Sequence, residues 1–403
     1  MTPNLLKRFI DSNNYDIRRT NNARWIDQKC AFDSICFVAD CIIEYYRNQN
    51  MDTFFSPNIW KSEYAIKNVQ LWFGKPDPLD ISTMDEYNKF FRQPMKLLAA
   101  AGILSEKNIG KAIEFKISNL PVLEYIALRE RNSNEFLCIY IEKTLKDSGL
   151  WDAFESFFDE QTELSLQQLK KKFSEFCIKH TPINTAIEAN RIFIKVLNPL
   201  ACKEHKKGTI KGKLSNSIIT FDKISYNQPN WRDVITGKDK NVSRGNFNPQ
   251  VKEEQLYSYK ISRAAKNLKR FNDKFNNGKS EIVDRFSIGE RATHMHHIFP
   301  KNAFPTIADY IENLIALTSG QHLQKAHPNG NTSEIDLDYQ YLCLLGKTEN
   351  IRKNLFEEEG DPIIYNFSDF MYVLDTGLNT DYFSHLSEND FNSVVSGIEI
   401  NYS

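Results

Sequence analysis

Five of the eight histidines fall between positions 294 and 327. The densest run is His294-Met295-His296-His297-Ile298-Phe299-Pro300, with Asn313 and His322 downstream. Imidazole titrates near neutrality, and its neutral form can take up a proton or give a lone pair to a divalent cation. Adjacent His296 and His297 thus allow a division of labour, one ring holding a metal and the other drawing a proton from water. Asn313 carries an amide that both donates and accepts, so it is suited to pinning backbone beside them.

The elements that position these residues follow from local pattern. Ala292–Phe299 reads as a strand running into a proline-bounded turn, and Asn313–Leu317 as a second short strand. Ser319 is the expected cap of a helix reaching about Ala326. Strand, loop, strand and helix, with His-His in the first strand, Asn opening the second and His nine residues later, resembles the HNH endonuclease family. Its members carry a ββα-metal, or His-Me finger, site. The resemblance implies that His297 is the general base and that Asn313 holds the loop orienting it. It also implies that His296 and His322 are metal ligands. Phosphodiester hydrolysis needs a deprotonated water, a cation on the phosphate oxygens and in-line geometry. One divalent metal per site is expected, Mg²⁺ first, with Mn²⁺ or Ni²⁺ as substitutes. His294 shares a strand face with His296 and is a further candidate for a metal or phosphate contact. His327 lies five residues past His322 rather than four, off the shared helical face, and is not counted as a ligand. The His-Ile-Phe-Pro run also resembles nucleases of modification-dependent restriction systems.

Composition sets the surroundings. The chain has 403 residues, 41% hydrophobic and 26% charged, the balance of an ordinary soluble protein. No apolar run reaches the roughly 18 residues that a membrane span needs. Seven cysteines with no C-x-x-C pair argue against a disulfide framework and a zinc knuckle. A reducing, cytoplasmic location is the expectation. No P-loop run is present, so ATP is not expected as a cofactor. The net charge of −1 hides a segregation. Residues 203–280 hold 18 Lys and Arg against 7 Asp and Glu, whereas residues 330–403 hold 3 against 14. Binding of a polyanion depends on the local field, so the basic middle predicts nucleic-acid contact.

Along the chain, Ala31–Tyr46 predicts an amphipathic helix, with shorter ones from Ser56 and from Ser62 to Trp72. A longer helix is expected over Thr83–Ala101, kinked or split at Pro94. Ile103-Leu104 and Ala112–Ile117 then flank a polar turn, Ser105–Lys111. Helices followed by a hairpin resemble a winged-helix domain, which implies base reading from helix 83–101 through Lys89, Arg92, Gln93 and Lys96. The same resemblance puts Lys107 and Lys111 on the wing. Residues 121–202 look helical, and Ser217–Phe221 looks like a strand. Arg232, beside Trp231 in an amide-rich loop, could stack on or read a base. Arg263, Lys266 and Arg270 on a helix near 253–275 suit phosphate contact.

The expected fold class is α+β, predominantly helical. Its parts are a winged-helix-like region 1–120, a helical region 121–202, a basic region 203–280, an HNH region 281–355 and an acidic region 356–403. Together the resemblances imply a site-specific endonuclease acting on double-stranded DNA, most like a type II restriction enzyme working as a homodimer. Two alternatives stay open at this point. One is a nuclease that requires base modification; the other is a DNA-binding regulator with an inactive HNH-like fold.

Overall fold

The computed structural model describes residues 3–73, 75, 78–79, 81–226, 249–326, 336–356 and 362–402. They form two compact units, Met1–Pro249 and Gln250–Ser403, so the division falls inside the basic stretch 203–280. Both units are mainly helical with small antiparallel sheets, which is the α+β, predominantly helical class. Among the described residues, no helix is long and apolar enough to cross a membrane.

The first unit begins with helices α1 (Pro3–Asp11) and α2 (Ile17–Thr20) and is centred on α3 (Phe32–Gln49). Every residue of α3 from Phe32 to Glu44 is buried. A helix apolar on all sides belongs in a core, where neighbours must surround it. Phe37 accordingly meets the rings of Trp72, Phe73, Phe90 and Phe91. The chain continues through β1 (Thr53–Phe55), α4 (Ser56–Trp60), α5 (Glu63–Phe73) and α6 (Met84–Ala100). A hairpin, β2 (Leu104–Ile109) and β3 (Ala112–Ile117), completes an antiparallel sheet of order β1-β3-β2.

Two local expectations change here. α6 stays one helix despite Pro94. The proline costs a backbone hydrogen bond, but Phe90, Phe91, Met95, Leu97 and Leu98 bury their side chains on both sides of it. The hairpin turn is also shorter than expected, with only Gly110 and Lys111 between the strands and Gly110 at φ +60°. Ser105–Ile109 extend β2 because pairing with Ala112–Lys116 satisfies their backbone groups. Leu104 alone is buried on that strand, so no apolar alternation announces it.

Five helices follow: α7 (Leu120–Leu128), α8 (Glu130–Asp147), α9 (Trp151–Glu160), α10 (Glu163–His180) and α11 (Ala186–Lys203). Phe154, Phe173 and Phe193 join the last three ring to ring. The strand expected at Ser217–Phe221 is not formed. A two-residue ladder, β4 (Thr209–Ile210) with β5 (Lys213–Leu214), lies just before it, and Phe221–Ile224 is a 3-10 turn. Local side chains satisfy this backbone instead: Asn198 binds both N and O of Thr209, and Ser215 Oγ accepts from Gly208 N and donates to Ser217 O.

In the second unit, the long helix α12 (Pro249–Phe275) leads to a hairpin of β6 (His294–His297) and β7 (Leu314–Leu317). His294 pairs with Leu317, His296 with Ile315 and His297 with Leu314. β7 is wholly buried. Its far side is met by Glu281, whose N donates to Ala316 O at 2.9 Å and whose Oε1 accepts from Ala316 N at 2.8 Å. The same carboxylate takes Lys347 Nζ at 2.9 Å and Asn350 Nδ2 at 3.1 Å, and Lys347 also donates to Tyr365 OH. α13 (Ser319–Gln321) follows β7, and Lys347 lies on α14 (Leu337–Leu355). Helices α15 (Phe367–Leu378) and α16 (Phe391–Tyr402) belong to the same compact unit, so the acidic C-terminal residues are built into the body that carries the histidines.

The side chain of Lys347 is fully buried and that of Glu281 is 5% exposed. Burial pushes the ammonium below its usual range, and Glu281 opposes that shift. Lys347→Met should strand the carboxylate and cost about 3–5 kcal/mol in urea-unfolding experiments. Glu281→Leu added to Lys347→Met should recover part of that loss.

Candidate active site

β6 and the start of the following helix bring three imidazoles together. Alternation along the strand places His294 and His296 on one face. His322 packs against both. Its ring is edge-on to His296, with centroids 5.3 Å apart and planes at 76°. It stacks on His294 at 4.6 Å and 18°. His296 is buried, while His294 and His322 are half-buried.

The helix carrying His322 differs from the one expected. Thr318, not Ser319, is its cap: Thr318 Oγ1 accepts from Gln321 N, and Gln321 Oε1 accepts from Thr318 N. Residues His322–Ala326 continue α13 as a π-turn, a wider winding that often marks functional positions. Gln321 ties this cap to the preceding segment, accepting from Ser280 Oγ at 2.6 Å and donating to Ile282 O. Thr318 Oγ1 donates to Phe286 O.

His297 has the opposite strand parity from His296, at the point where β6 runs into the loop 298–313. Its Nε2 lies 3.0 Å from the carbonyl oxygen of Ala308. A carbonyl can only accept, so Nε2 carries the proton and Nδ1 keeps the lone pair. Burial lowers the imidazole below its ordinary pKa, the Ala308 carbonyl works against this, and Lys301 adds to the lowering. The ring is therefore neutral at pH 7, with its basic nitrogen set by the loop.

Asn313 closes that loop. It is fully buried at the end of the 3-10 turn Ile311–Asn313, one residue before β7 rather than as its first member. Its Oδ1 accepts from Phe299 N at 2.8 Å, and its Nδ2 donates to Phe299 O at 3.0 Å and to Ile307 O at 3.3 Å. Its own carbonyl accepts from Ile298 N. Two residues that local sequence pattern does not single out complete the grip. Gln340 on α14 donates to Ile298 O at 2.6 Å, and Tyr402 on α16 donates to Gln340 Oε1 at 2.7 Å. Phe299 lies so close to Gly377 on α15 that a side chain there would collide with its ring.

Among the described residues, no group of three or more His, Cys, Asp or Glu converges on one point. Two imidazoles fit a cation better than three. With metal–nitrogen distances of roughly 2.1 Å, two rings on one ion have centroids roughly 4.5–5.5 Å apart. His296 and His322 have that spacing and steeply inclined planes. The stacked planes of His294 and His322 direct their lone pairs side by side instead of toward one ion. His294 Nδ1 has the hydroxyls of Thr293 and Ser319 at 3.0 and 3.4 Å. His327 lies outside the described residues.

The expected nucleic-acid contacts are uneven. On α6, Lys89 and Arg92 are exposed. Lys96, also expected there as an exposed contact, is half-buried and paired with Glu106 of β2 at 2.9 Å, so its charge is largely spent. Gln93, expected to be exposed, is half-buried, and its Oε1 accepts from Lys29 N at 2.8 Å. These four line a cleft of about 400 Å³ with Arg24, Asp27 and Ile113. Lys111 is exposed in the hairpin turn, and Lys107 is exposed on β2 itself. Arg263, Lys266 and Arg270 lie on α12, half-buried and engaged with neighbouring groups. Close by, Tyr257 of α12 donates to Lys301 O, and Lys260 faces Asp309. Arg232 and Trp231 lie outside the described residues.

No family model matches the chain, and no curated protein or solved structure matches it either.

Asn313→Ala should leave Phe299 N, Phe299 O and Ile307 O without their partner in a dry site, costing about 3 kcal/mol. The check is the urea-unfolding midpoint of the full chain. Asn313→Asp should not rescue it, because a carboxylate would face two carbonyl oxygens.

Proposed function

We propose that this protein is a divalent-metal-dependent endonuclease acting on double-stranded DNA. One observation carries the reading. A neutral histidine, with Nε2–H given to a loop carbonyl and Nδ1 left basic, adjoins in sequence a pair of imidazoles spaced to share a cation. A buried asparagine clamps the loop that supplies the carbonyl. The arrangement agrees with the HNH resemblance of residues 292–326.

In the proposed mechanism, His297 Nδ1 takes the proton from the attacking water, and Ala308 O holds the ring through Nε2–H. His296 and His322 would hold Mg²⁺, with Mn²⁺ or Ni²⁺ as substitutes, and the ion would offset charge on the phosphate oxygens. The low number of protein donors leaves positions for water and phosphate, as suits a hard cation. Asn313, Gln340 and Tyr402 act on the chemistry only by fixing the loop.

Residues 32–117 support a DNA-reading role. The order helix, strand, helices, hairpin, with sheet order β1-β3-β2, is in keeping with a winged-helix domain. Such a domain would put α6 in the major groove and Lys111 near the backbone. The reading extends to a site-specific, type II restriction enzyme of the cytoplasm, working without ATP. Because such a motif cuts one strand per site, a double-strand break calls for two copies of the chain.

With supercoiled plasmid and Mg²⁺ or Mn²⁺, the wild type should nick and then linearise DNA. His297→Ala should cut at least 100-fold more slowly, the loss expected on removing a general base, while retaining DNA binding. His322→Ala should need a higher metal concentration for half-maximal cutting. DNA binding without nicking in either metal would overturn the nuclease reading and leave a DNA-binding protein.

A further inference from the structure

We infer that Gln93 is a donor-only reader of base edges, which selects guanine or thymine over adenine or cytosine at the position it meets. The inference rests on the reading that α6 binds duplex DNA.

A free glutamine amide offers both a carbonyl acceptor and an NH₂ donor, and the bidentate use of the two is what suits it to adenine. Gln93 is not free to do this. The backbone N–H of Lys29 can only donate, so the atom facing it at 2.8 Å must be Oε1. The acceptor end is thus committed to the protein. Among the described residues, Gln93 Nε2 has no acceptor, and the residue lines the cleft beside Lys89 and Arg92. Those two exposed cations draw a phosphate backbone to the cleft, and Ile113 gives it one apolar wall.

A group that can only donate discriminates by what it meets in the major groove. Guanine presents N7 and O6, both acceptors, and thymine presents O4. Cytosine presents the N4 amino donor and adenine places its N6 amino donor beside N7, so either brings a donor against Nε2. The segment around Lys29 thereby sets the specificity of a residue on another helix.

The test is selection of bound duplexes from a randomised DNA library at fixed salt with the full-length protein, followed by sequencing. Wild type should enrich guanine or thymine at a position that Gln93→Glu changes. In Gln93→Glu one oxygen still accepts from Lys29 N and the other becomes an acceptor, so the preference should move to cytosine or adenine, by roughly tenfold in relative affinity. Gln93→Met carries no charge to repel phosphate and should flatten the preference at the same position. Folding of each variant is checked by its thermal transition. A preference unchanged in both variants, with duplex binding retained, overturns the role of Gln93 alone. Absence of duplex binding by the wild type overturns the DNA-reading role of α6 with it.

Discussion

A buried backbone polar group must find a partner, and at the candidate active site one side chain meets that demand for a whole loop. Asn313 supplies one acceptor and two donors to backbone on three strands of the loop path, with no water needed. The loop is thereby fixed at both ends, and Ala308 O is held where it can accept from His297. Proton position, and with it the basic nitrogen, follows from a hydrogen-bond ledger. Chemistry at His297 is in this sense a property of the loop more than of the strand.

The supports of this site are polar and buried, which makes them demanding. Glu281 and Lys347 sit in the interior with Asn350 and Tyr365 filling the remaining valences. Such a cluster adds little net stability over an apolar replacement of both partners, yet it is costly to break from one side. It specifies how α14 meets the hairpin. Gln340, one helical face along, then reaches Ile298 O, so the register of α14 is read out directly at the His-Ile-Phe-Pro run.

Much of this was legible in the residues. The spacing of His296, His297, Asn313 and His322 placed a hairpin and a helix correctly, because alternation and proline punctuation are local signals. Local pattern did not show the π-turn at His322, the Thr318 cap or the grip of Gln340 and Tyr402, since each depends on partners far along the chain. The hairpin of the first unit shows the same limit: Ser105–Ile109 has no apolar alternation, and only pairing across β3 makes it a strand. Charge counting misjudged Lys96, because whether a lysine is available to a ligand depends on what faces it, here Glu106.

The contact between Glu281 and Ala316 has a consequence for assembly. An open strand edge is a template on which another polypeptide can add itself by backbone pairing. On β7 that template is closed at Ala316, since Glu281 offers its own N–H and a carboxylate oxygen in place of a neighbouring strand's amide and carbonyl. A side-chain oxygen ends the ladder there, because it has no next residue in line to propagate it. The histidine hairpin is therefore insulated at this edge from strand addition, and self-association of this unit has to proceed through helical surfaces.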